Sequence, residues 1–273
     1  MKISKTKAKK TISEQFKNKK PLITYISGGD PNLYFTEKLI YQLAEEGVDI
    51  IEVGIPFSDP LADGPVIQAA SQRALKSGTT LKKLISRLKK IKENVEIPLV
   101  LMGYYNSVLN YGEKEFAEDI SEAGISGVII PDLPFDEKGF LSQELKKHQV
   151  NQIMLVTPNT SDERLKNIAE HSGGFLYCVA LLGTTGDGRG PYPELESYLN
   201  RVRKYAGDLP LGLGFGIDGP EKVRKIADYT DGVIIGSALI NAVQAGSDEA
   251  EMLRNAADFV RDIKRTLIEQ SSI

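Results

Sequence analysis

The stretch "EVGIPFSDPLADGP" places Glu52, Asp59 and Asp63 within twelve residues. Glu52 interrupts an apolar run, "VDIIEVGIPF", and the two aspartates follow on a segment broken by Pro56, Pro60, Gly64 and Pro65. A carboxylate inside an apolar strand is costly unless it is paired or protonated. Desolvation raises its pKa into the range where it can trade protons near neutral pH. The alternative for Glu52 is a salt bridge to a Lys or Arg inside the fold, but the apolar runs carry almost no basic residue to supply one. Loop aspartates commonly form turns or cap helices. Position alone therefore leaves Asp59 and Asp63 open between those roles and chemistry.

A second constellation is built from glycine. "GTTGDGRG" (Gly183 to Gly190), "GLGFGIDGP" and "IIGSAL" each follow or end an apolar run late in the chain. Glycine lets backbone N–H groups approach an anion closely, and "GSAL" reads as a turn entering a helix, with Ser237 adding a hydroxyl. A phosphate-bearing ligand is the expectation. Other chemistries fit poorly. His148 and His171 have no partners at metal-ligand spacing, so no metal is expected. Cys178 lies inside an apolar strand and reads as core. Neither a nucleophile elbow nor a Walker-type loop is present.

These residues need a scaffold. A unit recurs along the chain: a short apolar run, a loop, then an amphipathic helix. The strand candidates run Pro21 to Ser27, Asp49 to Ile55, Pro98 to Tyr104, Gly127 to Asp132, Gln152 to Pro158, Phe175 to Leu181, Pro210 to Gly216 and Asp231 to Ser237. Near-continuous apolar runs suit parallel strands covered on both faces. In "LKKLISRLKKIKEN", Leu81, Leu84, Ile85, Leu88 and Ile91 share one helix face. Val223, Ile226 and Ala227 mark another, as do Leu195, Tyr198, Leu199 and Val202. Eight strands alternating with helices predict a single (β/α)8 barrel, with an open doubly wound sheet as the alternative. One domain is expected over residues 1–273, with 1–20 as a basic, helical N-terminal extension and extra helical segments after strands 2 and 8. Alternation along "IIEVGI" turns Ile51, Val53 and Ile55 toward the helix layer. Glu52 and Gly54 then face into the barrel near its C-terminal mouth, where barrel active sites gather.

The bulk numbers agree. The chain has 273 residues, 41% of them hydrophobic and 26% charged, with a net charge of -3. That balance points to neither nucleic acid nor a membrane as partner. A single cysteine excludes a disulfide framework and suggests a reducing, cytoplasmic setting. No apolar run approaches the roughly 20 residues of a spanning helix. The basic start, "MKISKTKAKK", lacks the apolar segment of a signal peptide. "TISEQFKNKK" follows instead, and the whole reads as a solvated helix or arm ahead of the first strand, with phosphate steering or partner docking as the alternative.

"IEVGIPFSDPLADGP" closely resembles the signature of the tryptophan synthase α-subunit family. "YISGGDP", "LMGYYN", "IIPDLP", "GTTG", "GFGI" and "GSAL" continue the similarity in the family's order, from about Pro21 to Ala242. The resemblance implies a (β/α)8 barrel that cleaves indole-3-glycerol phosphate to indole and glyceraldehyde 3-phosphate, a retro-aldol lyase step in tryptophan biosynthesis. Indole would pass to a β subunit in an α2β2 assembly. Pyridoxal phosphate would sit on that β subunit only, so this chain would carry no cofactor. Glu52 resembles the family's general acid/base and Asp63 the carboxylate that accepts the indole N–H. Tyr25, Ile67, Tyr104, Tyr177 and Phe215 resemble residues lining the indole and glycerol pocket. Gly186, Gly216, Gly236 and Ser237 resemble the phosphate site, and Thr185 a loop residue that meets Asp63 on closure. Asp59 and Asp132 resemble positions near the β-subunit contact. One departure stands out: many members carry an Arg shortly before the "GTTG" position, whereas here Arg189 follows it. Beside an active lyase subunit stand a free-standing lyase, a barrel that only activates a partner, and a different phosphate-handling isomerase barrel. The intact Glu52 and Asp63 disfavour the third, and the lack of a suitably placed Lys or Cys disfavours the last.

Overall fold

Strand pairing closes on itself. In the computed structural model, which describes residues 10–17, 19–136, 139–179, 192–214 and 216–271, eight parallel strands pair in sequence order. They are β1 (Leu22–Ser27), β2 (Ile50–Gly54), β3 (Leu99–Met102), β4 (Gly127–Ile129), β5 (Asn151–Val156), β6 (Leu176–Val179), β7 (Leu211–Gly214) and β8 (Gly232–Ile235). β8 returns to pair with β1, giving a closed barrel rather than the open sheet.

The helices are α1 (Ile12–Gln15), α2 (Leu33–Glu45), α3 (Pro65–Lys76), α4 (Leu81–Ile91), α5 (Tyr105–Tyr111), α6 (Glu113–Glu122), α7 (Phe140–Lys147), α8 (Asp162–His171), α9 (Tyr192–Ala206), α10 (Pro220–Ile226), α11 (Ser237–Gln244) and α12 (Glu249–Ser271). Extra helices follow β2 and β8, as the sequence suggests. A third doubling, α5 and α6 after β3, was not foreseen. The two helices meet at Gly112, whose φ of 96° breaks the run between two short helical patterns. The strands are shorter than the apolar runs because several run ends continue as mouth loops.

Two apolar layers follow from strand alternation. The outer layer packs residues such as Ile51, Val53, Leu101, Val128 and Leu213 against the helices. The predicted face of α4 holds, with Leu84, Ile85, Leu88 and Ile91 buried. The inner layer contains Ile23, Ile50, Val100, Ile129, Ile153, Phe175 and Ile234.

From residue 10 on, the N-terminal segment contains the expected helix but corrects the expectation that it is solvated. Over the described residues, α1 is a single turn closed by a capping box between Thr11 and Glu14. Its Ile12 is buried in the inner layer with Phe175 and Ile153, and the Phe16 ring lies 5.6 Å from that of Phe175. The segment is therefore a plug in the barrel floor. Beside it, Asp49 accepts the Leu22 N–H at 2.8 Å, Lys264 of α12 at 2.8 Å, and Lys19, tying both ends of the chain to the start of β2.

Ile12→Ala opens a void at the floor that its rigid surroundings cannot fill. The expected cost is about 2–5 kcal/mol of unfolding free energy, measured by urea denaturation.

Candidate active site

Glu52 enters the barrel as alternation requires. It pairs in register with Tyr25 of β1 and Val100 of β3 and is fully buried. Among the described residues neither carboxylate oxygen has a hydrogen-bond partner, so the salt-bridge alternative is not realised. Desolvation alone pushes its pKa up to about 8. Around pH 7 most of the population therefore holds a proton that no neighbour claims.

Two tyrosines flank it. Tyr25 and Tyr177 are buried, and both hydroxyls are held well above their ordinary pKa, chiefly by burial and then by nearby carboxyl groups, Glu52 among them. Their rings need room, and glycine provides it: a Cβ on Gly54 would overlap the Tyr25 hydroxyl, and one on Gly214 the Tyr177 hydroxyl. The glycine two residues after Glu52 is thus a space requirement, as its inward position suggests.

Asp63 reaches the same place from the β2 loop. It does not cap α3: the N-cap is Gly64, with no side-chain cap, and Pro65 begins the helix. Instead Asp63 lines a cavity of about 280 Å³ at the mouth, together with Tyr25, Tyr177, Ile67 and Met102. Its carboxyl is raised by burial, and a hydrogen bond with Tyr104 opposes that shift. The loop carrying it is gripped from two sides. The Tyr104 hydroxyl accepts the Ala62 N–H at 3.0 Å, and the Tyr104 ring stacks on Phe57 at 5.2 Å. Ser71 of α3 accepts the Phe57 N–H at 2.8 Å and donates to the Phe57 carbonyl at 3.0 Å. Tyr104 thus stands behind Asp63, outside the set of residues that line the cavity.

The far end of the cavity is formed by Gly216, Gly236 and Ser237. Gly236 caps α11 without a side-chain hydrogen bond, leaving the first-turn amides of that helix open to an acceptor. Thr185, Gly186, Arg189 and Phe215 lie outside the described residues. Asp59 is exposed, accepts a 2.5 Å bond from Ser58 and does not line the cavity. Asp132 accepts the Tyr105 N–H at 2.9 Å and so caps α5 from a distance.

The cavity also gathers residues that sequence reasoning did not select. Met102 and Ile234 were within reach, since each sits two places from an inward-facing neighbour. Ala238, Asn241, Asp218 and Lys222 enter from the first turns of α11 and α10 and the turn before α10. No strand pattern points to these. Among the described residues no cluster of His, Cys, Asp and Glu could hold a metal ion.

Glu52 itself does not line this cavity; it lies behind Tyr25 and Tyr177, which do, and the opposite side of the cavity carries the N-terminus of α11. A closed parallel barrel with a small cavity at its mouth, a buried proton-bearing acid behind it and a second carboxyl on its lining has the architecture of a (β/α)8-barrel enzyme. The model of the family described as tryptophan synthase alpha chain matches residues 12–267, and the chain belongs to that family. The tryptophan synthase alpha chain of Petrotoga mobilis is 55% identical over 254 residues, covering 93% of this chain and 98% of that relative. The Caldanaerobacter subterraneus subsp. tengcongensis alpha chain is 45% identical, over 91% of this chain and 94% of its own length. The crystal structure of tryptophan synthase subunit alpha from Legionella pneumophila superposes with a TM-score of 0.86 at 36% identity, covering 94% of this chain and 98% of that one.

Glu52 makes stability depend on pH. Its folded pKa, about 8, lies above the ordinary 4.5. Between those values the folded state binds more protons than the unfolded state, so stability falls as pH rises through the window. Thermal melts at pH 6 and pH 9, which cross the two pH units from 6 to about 8, should show a loss of about 3 kcal/mol. Glu52→Gln should remove most of that pH dependence.

Proposed function

We propose that this chain cleaves indole-3-glycerol phosphate to indole and glyceraldehyde 3-phosphate, with Glu52 as the proton carrier and Asp63 as the acceptor for the indole N–H. The observation that carries this reading is Glu52: a buried carboxyl, protonated near neutrality and without a partner among the described residues, behind two tyrosines that line a cavity together with a second carboxyl, Asp63.

The chemistry needs two acids in different states. Protonated Glu52 gives its proton to indole C3. The ring nitrogen supplies the electron pair, and Asp63 stabilises the resulting indolenium by accepting its N–H. Glu52, now ionised, takes the proton from the hydroxyl on the carbon attached to C3. The carbon–carbon bond breaks, its electrons return to the ring, and a carbonyl forms on the leaving glyceraldehyde 3-phosphate. Glu52 ends protonated, so no proton is gained or lost. Burial suits the first residue, because a dry carboxyl donates readily to carbon. The loop position suits the second, because the indole edge must pass it on entry. Gly216, Gly236, Ser237 and the amides of α11 would receive the phosphate, as the open first turn allows. Tyr25, Ile67 and Tyr177 would enclose the ring.

This chain would use no cofactor of its own. A pyridoxal-phosphate β subunit would take the indole within an α2β2 assembly in the cytoplasm. In support, a solved relative is tryptophan synthase from M. tuberculosis in its aminoacrylate-bound form, at a TM-score of 0.83 and 31% identity. No helix among the described residues is long and apolar enough to cross a membrane. Leu61, at 94% exposed on the Asp63 loop, and the neighbouring Asp59 suit such a contact.

The test is indole release from indole-3-glycerol phosphate, with and without a β subunit. Glu52→Gln should abolish it, and Asp63→Asn should lower kcat by at least about 100-fold, with the fold retained by circular dichroism. Wild-type kcat/KM should decline above about pH 8, where Glu52 loses its proton before substrate arrives. Indole release by Glu52→Gln at the wild-type rate would end the assignment.

A further inference from the structure

The phosphate end of the cavity contains a cation that neither the glycine motifs nor the helix terminus accounts for. Lys222 lines the cavity with Gly216, Gly236 and Ser237. It sits on the first turns of α10, just after Pro220, and about a third of its side chain is exposed. Its ammonium donates to the Gly216 carbonyl at 2.8 Å and to Asp218 Oδ2 at 2.7 Å. No other Lys or Arg among the described residues lines this cavity. Every other donor at this end is neutral: backbone amides of α11, the Ser237 hydroxyl and the Asn241 amide. A phosphate dianion entering here meets one full positive charge, held at the rim by a carboxylate that itself repels the ligand.

We propose that Lys222 is a phosphate-binding residue of this site and that Asp218 sets its strength by holding and partly neutralising the ammonium. The inference rests on the phosphate placement given under the proposed function. An ammonium has three donors. Two point to Gly216 and Asp218, and the third, which has no acceptor among the described residues, can meet a phosphate oxygen. The backbone carbonyl keeps the ammonium at the rim, so a ligand need not immobilise a freely moving side chain. Asp218 is two-thirds exposed, so water and salt screen its repulsion more than they screen a phosphate seated inside the cavity. Attraction therefore exceeds repulsion for the bound ligand, and each charge shifts affinity in a defined direction. Lys222→Gln weakens binding and Asp218→Asn strengthens it. Because the phosphate is remote from the breaking bond, both effects fall on KM rather than kcat.

Steady-state indole release and calorimetric titration with glycerol 3-phosphate test this. Lys222→Gln should raise KM and the glycerol 3-phosphate Kd by about two- to fivefold, the range of one screened charge contact. It should also flatten the salt dependence of both. Asp218→Asn should lower KM and Kd by about twofold or more. Lys225→Gln, which removes a charge on the same helix that pairs outward with Glu221, should change neither. Unchanged KM and Kd in Lys222→Gln would overturn the proposal, and so would equal losses in Lys225→Gln. If the wild-type chain releases no indole, the lyase reading fails, and the glycerol 3-phosphate titration still decides the role of Lys222.

Discussion

One buried carboxyl sets the terms for the rest of the molecule. Glu52 sits in a closed barrel with no partner for either oxygen among the described residues. An unpaired charge there would be expelled or neutralised, and the barrel neutralises it by holding the proton. Every feature around it serves that state. Apolar strands exclude water, the tyrosines offer hydroxyls without charge, and glycines on β2 and β7 leave space for their rings. A lysine placed nearby for stability would ionise Glu52 and remove the proton the chemistry needs. The site is thus less stable than a paired one, and the scaffold must absorb that cost.

The scaffold does so at the opposite end. The floor is filled by Ile12 and Phe16 from the N-terminal segment, and Asp49 there is fully partnered by a backbone amide and two lysines. The contrast between Asp49 and Glu52, three residues apart, is instructive. Asp49 immediately precedes β2 and Glu52 stands at its middle, facing into the barrel. The one at the floor is saturated. The one further along has no partner among the described residues. A parallel barrel separates these tasks by end, because all strands begin at one face and finish at the other.

The second carboxylate obeys a different constraint. Asp63 must be exposed enough to meet a ligand and yet held in place. Its loop is stapled by Ser71 to the Phe57 backbone and by Tyr104 to the Ala62 amide, and neither contact uses the carboxyl itself. Local sequence makes the segment a loop through its prolines and glycine. Where the loop points is decided by Ser71 of α3, the helix it enters, and by Tyr104 after β3, some forty residues further along the chain.

The strand count, the inward direction of Glu52, the outer face of α4 and the glycine-rich late strand ends were all readable from spacing. Each depends on a period of two or on 3.6 residues within one element. Asp63 was not readable in this way: an aspartate before a glycine and a proline fits a turn or a cap as well as a site, and only the resemblance to a family singled it out. The N-terminal helix is legible in the sequence but its burial is not, because a basic, polar stretch conceals two apolar side chains whose destination lies across the fold. Lys222 was passed over for the same reason, since a lysine on a short amphipathic helix looks like any solvated charge. The sequence by itself determined which face of each element is apolar and that an acid would be driven inside. Only the closed barrel decided which acid would stand alone, which loop would come to the mouth and which cation would line the cavity, because those depend on distances between residues far apart in the chain.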